Sequence, residues 1–297
     1  LAARFTAPLT LISPRVPYEL CFHEVSPRHV DITALARQEL HVPSTPDYRA
    51  LASQIGAVDV FINIVPWNMI SVAPVRPLRQ RLAPGTSIGF RHDLDVYDVV
   101  LPRHPGHCAD LIFDVAHLFD ETARIEDWSQ PLPIPPLVLE RANSTRAALP
   151  PGTKVLAVHA DTDWAAKRWP VTRFIDLLDR FLSRHPDFVA WVIGMGEEEL
   201  NVGRERARVV PYLGLPLNHA MAMVATADLF VGIDSCMLHA ADLARVPGVG
   251  LFAPTRSATW GFRFARHRHV DARTMADITV DEVLDALEDL ATAELRL

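Results

Sequence analysis

KVLAVHADTDWAAKRWPVTRFIDLLDRFLSRHPDFVAWVIG, residues 154–194, decides the fold. It opens on a strand-length apolar run, KVLAVHA (154–160), crosses a polar loop containing Lys167 and reaches Pro170. Proline suits the first turn of a helix, where its missing N–H has no intrahelical partner to lose. From Val171 to His185 the residues Phe174, Leu177, Leu178 and Phe181 recur on one face at helical spacing. A second apolar run, FVAWVIG (188–194), follows after a short turn. Strand, loop, amphipathic helix and strand in that order are the unit from which a parallel sheet is built.

Outward from this segment the pattern repeats. ARVV (207–210), DLFVGI (228–233) and GVGLFA (248–253) supply three more strands, so the C-terminal half reads as a doubly wound α/β domain. A last amphipathic helix, 280–295, carries Val283, Leu284, Leu287 and Leu290 as a stripe that suits docking on either half. Toward the N-terminus LTLIS (9–13), VDVFINIV (58–65) and TSIGF (86–90) read as buried strands, with helices near 47–55 and 105–121 and proline-rich connections at 72–84 and 99–106. PLPIPP (131–136) and ALPPG (148–152) flank a short helix-like stretch, so the interdomain linker is expected at about 131–152, between domains 1–140 and 141–297. A length of 297 residues fits two such domains. The chain begins Leu-Ala-Ala-Arg-Phe, and LTLIS follows what reads as the end of a helix, so an earlier strand and loop are expected to be missing.

Composition removes several function classes. A net charge of −7 opposes general binding to nucleic acid, which depends on Lys and Arg neutralising phosphates. No apolar run approaches the ~18 residues that span a bilayer. Cys21, Cys108 and Cys236 are far apart with no CxxC spacing, so neither a zinc site nor a disulfide framework is indicated, and the chain reads as cytoplasmic.

Ligands of an open parallel sheet lie beyond the carboxyl ends of its strands, which singles out three loops. In HADTDWAAKRWP (159–170), donors from Thr162, the ammonium of Lys167 and a nearby helix start suit a diphosphate; the alternative is a solvated loop covered by Trp164 and Trp169. In GIDSCMLHAADLA (232–244), Asp234 and Ser235 stand before a helix on which His239 falls. They either cap that helix or face a ligand, with Asp234 accepting from sugar hydroxyls and the helix start receiving phosphate. GMGEEELN (194–201) is no dinucleotide fingerprint, since Glu199 replaces the third glycine; its carboxylates suit ribose hydroxyls or simply a charged first helical turn.

These segments, in this order, resemble glycosyltransferase family 9, the lipopolysaccharide heptosyltransferase family of the GT-B fold. HADTDWAAKRWP resembles the family's H-x-G/T-x-x-x-x-K-x-W-P, DSCMLHAA (234–241) its D-S/T-G-x-x-H-x-A, and GLFAPT (250–255) with Trp260-Gly261 completes the match. The resemblance implies two Rossmann-like, doubly wound domains facing a cleft, and an inverting, metal-independent transfer of a sugar, commonly a heptose from ADP-heptose, to an acceptor hydroxyl. It implies that Lys167 contacts the donor's phosphate or sugar, that Asp161 and Thr162 lie in the phosphate loop, and that Asp234, Ser235 and His239 line the diphosphate and sugar pocket. Lys167 and Asp234 become the catalytic candidates, with Cys236 beside them. Glu197 or Glu198 would sit near the ribose and Leu213-Gly214 near the base. No cofactor is implied beyond the donor itself.

The acceptor, a saccharide, a lipid-linked molecule or a small molecule, falls to the N-terminal half, with peripheral membrane contact compatible with the second of these. Arg15, Trp67, Asn68, Arg91, His92 and His104 follow strands or lie in loops there and are the candidates for gripping it. Two departures limit the carry-over. The family's base is an aspartate in a Gly-Asp loop after the first strand, the part expected to be missing, and Cys236 replaces the glycine of D-S/T-G, where a Cβ narrows the approach of a phosphate. A sugar-nucleotide 2-epimerase-like enzyme and a non-catalytic sugar-nucleotide binder are the competing readings.

Overall fold

The computed structural model describes residues 9–26, 28–33, 47–65, 75–90, 96–196 and 199–293. Contacts divide the chain into two units, Leu1–Asp127 and Trp128–Leu297.

In the first unit β1 (Thr10–Ser13) pairs in parallel with β2 (Arg28–Asp31), and β3 (Val60–Ile62), β4 (Thr86–Phe90) and β5 (Val99–Leu101) form a second parallel sheet in that order. Helices α1 (Tyr48–Ile55), α2 (Val75–Leu82) and α3 (Cys108–His117) accompany them. Asp47 starts α1 by accepting the N–H groups of Arg49 and Ala50 at 3.1 and 3.0 Å, and Gly56 ends it at φ +79°, a conformation glycine adopts without a Cβ penalty. Ile55 then packs with Val30 and Leu78. Three expectations change here. The strand expected over 58–65 is confined to Val60–Ile62, because the Asn63 carboxamide turns back to accept the N–H of Val65. The stretch 72–84 contains α2 rather than a plain connection, with Pro77 in its first turn where proline is tolerated. The strands β2 and β5 lack a long apolar run, which is why RHVD and VVL did not stand out.

The second unit is one six-stranded parallel sheet made of β6 (Lys154–His159), β7 (Phe188–Gly194), β8 (Val209–Leu213), β9 (Leu229–Ile233), β10 (Gly248–Phe252) and β11 (His267–Asp271). Their spatial order is β11-β10-β9-β6-β7-β8, which numbered within the unit is the doubly wound 3-2-1-4-5-6 arrangement. The longer helices are α4 (Pro136–Ala147), α5 (Val171–Arg184), α6 (Leu217–Ala225), α7 (Cys236–Leu243) and α8 (Val280–Ala293). β8 runs past the expected 207–210 because it is an edge strand, where Pro211 opposite Val192 removes no interior ladder bond. β11 is the other edge, and its alternating charged sequence HRHVD gave no apolar signal. The expected linker contains α4, which packs on α6 and buries Ala142 completely.

One apolar cluster joins Leu156 and Val158 of β6, Val231 and Ile233 of β9, Phe174, Leu177, Leu178 and Phe181 of α5, and Leu284 and Leu287 of α8. Both helices therefore cover the same unit. The segment leading into α8 is fixed by the Trp169 indole, which donates to the Ile278 carbonyl at 3.0 Å, and by Arg173, which donates to the Ala276 carbonyl at 2.7 Å. Trp260-Gly261 has a packing role: a Cβ on Gly261 would lie 2.5 Å from the His269 ring, and the buried Asp242 carboxylate accepts the N–H groups of Arg263, Phe264 and Ala265 just beyond it. Among the described residues no helix is long and apolar enough to cross a membrane. Phe181 is fully buried at the α5 seam. Phe181→Ala is expected to lower the stability of the second unit by about 3–5 kcal/mol, read as a lower urea midpoint at constant slope.

Candidate functional site

β6 and β9 are neighbours although three βα steps separate them in sequence, so the strand order reverses between them. Chains leaving such a pair depart to opposite faces and open a crevice at the carboxyl ends. The loop 160–170 leaves β6 there, and Asp234 and Ser235 leave β9. Lys167, on the single tight turn Ala165–Lys167, reaches across: its Nζ donates to Asp234 Oδ2 at 2.7 Å and to the Asp234 carbonyl at 3.4 Å. The side chains are 17% and 7% exposed, so the two charges are largely removed from water and each depends on the other. The Trp164 ring, 5.3 Å from Nζ, adds a cation–π contact while remaining 52% exposed itself. The loop is thus ordered by Lys167, and its two tryptophans divide, Trp169 entering the core and Trp164 staying outside.

α7 begins directly after Ser235, whose backbone is extended and whose hydroxyl makes no capping bond. Ser235 Oγ is shielded from solvent and has no partner among the described residues; Thr255 Oγ1, beyond the end of the adjacent β10, is in the same condition. Capping, one of the two readings of Ser235, is therefore not what its side chain does. His239 lies one turn into α7 with Nε2 3.9 Å from Asp234 Oδ1. Cys236 is an exposed residue, yet the protein around its sulfur pushes the thiol's pKa up, outweighing the N–H groups of Cys236 and Met237 that favour the thiolate.

The remaining predicted residues fall as follows. Thr162 Oγ1 accepts the Trp164 N–H at 3.1 Å and so shapes the loop. Asp161 turns toward β7, where its Oδ2 accepts the N–H of Met195 and, at 3.2 Å, that of Gly196. Leu213 and Gly214 lie at the end of β8, and the Gly214 N–H donates to the Gly194 carbonyl at 2.8 Å. Among the described residues no α-helix begins between β7 and β8, so Glu199 does not sit in a helical first turn; Glu197 and Glu198 lie outside the described residues. In the first unit Arg15 follows β1 in the turn Arg15–Pro17, pairs with Glu19 at 3.4 Å and gives its N–H to Thr33. His104 Nε2 is 2.7 Å from Asp114 Oδ2, and that carboxylate raises the pKa of the imidazole. Trp67, Asn68, Arg91 and His92 lie outside the described residues. Nothing in the sequence marks out Ser13, Tyr18 and His29, which gather where β1 ends. The Tyr18 and His29 rings stack at 3.9 Å, and His29 Nε2 is 2.9 Å from the Ser13 carbonyl. Only the finding that RHVD is a strand reveals them. Among the described residues no group of three His, Cys, Asp or Glu side chains is placed to hold a metal ion.

The model of glycosyltransferase family 9 (heptosyltransferase) matches residues 113–282, more than half of the chain. Among solved structures, a family 9 glycosyl transferase from Veillonella parvula DSM 2008 superposes with a TM-score of 0.66 at 16% identity, covering 92% of this chain and 91% of that one. E. coli ADP-heptose lps heptosyltransferase II gives 0.67 at 16%, covering 99% and 92%. E. coli heptosyltransferase WaaC with ADP-2-deoxy-2-fluoro heptose gives 0.64 at 16%, covering 97% and 91%. No curated protein matches the chain in sequence. Two parallel α/β units with these neighbours define a protein of the GT-B fold. More narrowly, the chain belongs to glycosyltransferase family 9.

His159, at the end of β6, is buried and has Nδ1 2.7 Å from the Ile193 carbonyl. Burial holds its pKa below the ordinary 6.5, so on acidification the unfolded chain takes up a proton that the folded one refuses. Stability is then lost as pH falls below about 6.5 toward the folded value. His159→Gln is expected to flatten that part of the stability profile in urea titrations between pH 7 and pH 5; an unchanged slope would place the titrating group elsewhere.

Proposed function

We propose that this enzyme is an inverting glycosyltransferase working without a bound metal, which takes a sugar from a nucleoside diphosphate held where β6 meets β9 and passes it to an acceptor hydroxyl. The buried Lys167–Asp234 pair beside the uncapped start of α7 carries this reading. Departure of a diphosphate needs positive groups at its oxygens. Lys167 has three N–H donors, and its contacts to Asp234 leave capacity for one more acceptor. The first N–H groups of α7 add a partial positive charge, and His239 adds a further donor when protonated. Together these supply what a divalent cation supplies elsewhere.

Asp234 has two tasks in this scheme. It holds the ammonium in place, and its oxygens accept from hydroxyls of the transferred sugar. Ser235 is only partly buried, so one turn about χ1 brings its hydroxyl out to the same ligand. Deprotonation of the acceptor needs a base, for which the family resemblance expects an aspartate of a Gly-Asp loop. ADP-heptose is the first donor to test because two of the neighbours are named with ADP-heptose or its 2-fluoro analogue. Cys236, whose Cβ and thiol stand where the family pattern has glycine, makes a comparison with GDP-, UDP- and dTDP-sugars part of the same test.

Lys167→Ala removes a charged donor and leaves Asp234 buried without its partner, a change worth about 3–5 kcal/mol. Affinity for the sugar nucleotide is expected to fall at least a hundredfold in calorimetry, with the wild-type circular dichroism spectrum retained. Wild-type affinity in this variant would sink the assignment. With donor alone no product should form, whereas turnover without acceptor would identify a 2-epimerase; with acceptor present, the product's anomeric configuration read by NMR should be inverted.

A further inference from the structure

Asp161 stands in the loop expected to receive a phosphate, directly before Thr162, and a free carboxylate there would repel one. Its charge is instead used within the protein. Asp161 Oδ2 accepts the N–H groups of Met195 and Gly196, consecutive donors beyond β7 that would otherwise form a small anion-attracting concavity. The backbone is pressed onto this oxygen: a Cβ on Gly194 would lie 2.1 Å from it. Beyond that contact the chain passes Gly196 at φ +89°, where a Cβ would lie 3.2 Å from Leu213 Cδ1, and Gly194 accepts the Gly214 N–H. The ends of β6, β7 and β8 are therefore linked in series, from Asp161 through 194–196 to Leu213-Gly214.

The outcome of that linkage is an exposed apolar pair. Met195 is 73% and Leu213 41% exposed, at the ends of neighbouring strands and against the glycine backbone of 196. Three strand spacings separate β9 from β8, about 14 Å, the reach of an extended nucleoside diphosphate whose phosphates lie at Lys167. We infer that Asp161 is a positioning residue for the donor: it closes the 195–196 N–H pair to phosphate, so that the diphosphate is directed to Lys167, and it holds Met195 and Leu213 as a shelf for the flat face of the nucleobase. This rests on the reading of the β6–β9 crevice as a sugar-nucleotide site.

The test compares wild type with Asp161→Ala and Asp161→Asn, using ADP and inorganic pyrophosphate as probes in calorimetry and the sugar nucleotide in kinetics. In Asp161→Ala the shelf is released, so ADP affinity falls about tenfold, the scale of a lost charge-assisted contact, while pyrophosphate, which has no base, binds no more weakly than to wild type. KM for the donor rises in step, and kcat stays within about twofold. The asparagine carbonyl still accepts both N–H groups, so Asp161→Asn keeps most of the ADP affinity. Gly194→Ala, which crowds the same oxygen, reproduces the loss, and the double variant adds little to it because both sever one contact. Equal weakening of ADP and pyrophosphate, an asparagine variant as impaired as the alanine one, or Asp161→Ala indistinguishable from wild type each overturn the role of Asp161. Wild-type protein that binds neither ADP nor any sugar nucleotide overturns the donor reading on which that role depends.

Discussion

A single ion pair across the reversal of strand order organises the second unit's candidate site. Lys167 arrives from the β6 side and Asp234 from the β9 side, and 2.7 Å between them closes a gap that the topology would otherwise leave open. Neither group is stable alone at that depth. A carboxylate 7% exposed would be left uncompensated without its ammonium, and an ammonium 17% exposed would be left uncompensated without its carboxylate. The pair therefore fixes the loop 160–170 as firmly as a packed side chain would. It does so with charged atoms that still have hydrogen-bonding capacity left for a ligand.

The fold makes that pair possible through its sheet. β6 and β9 are buried on both faces, with Val155, Leu156, Ala157 and Val158 in one and Leu229, Phe230, Val231 and Ile233 in the other, so their positions are set by the core. α5 and α8 cover the cluster that contains β6 and β9, and Trp169, two residues after Lys167, joins that same core. The loop 160–170 is consequently short and tied at both ends, by β6 before it and by Trp169 after it. Precision of this kind comes from rigid elements beneath a loop.

How much of this was legible in the sequence follows from burial. Strands with continuous apolar runs, β6, β7, β9 and β10, were read to within a residue or two, because a central parallel strand has no polar face. In the edge strand β8 the signal stops at Pro211, so only its first residues are legible; the edge strand β11 and the short β2 are partly exposed and carry Arg268 and Arg28, and β5 is only three residues long, so there the same signal is missing. Lys167 and Asp234 stand out because both follow strands and fall in motifs that resemble those of family 9. Their mutual contact does not, because sequence spacing says nothing about two side chains 67 residues apart. Asp161 could not be understood without the structure. A carboxylate in a phosphate loop reads as a contradiction until its partners, the N–H groups of Met195 and Gly196, are known.

Those partners also bear on the electrostatics of the crevice. Asp161 and Asp234 bring two negative charges to the crevice proposed to receive a diphosphate, and the chain as a whole is at −7. The conflict is resolved locally: each carboxylate faces donors of the protein, Asp161 two backbone N–H groups and Asp234 the Lys167 ammonium. Bonded in this way, their fields are largely cancelled at short range, and in a partly dry crevice short range is what counts. The α7 helix start, with no side-chain cap, is left as the adjacent region of net positive potential. The start of α7 and the Lys167 ammonium beside it are thus where an arriving anion is directed, so the carboxylates act to give the site a direction.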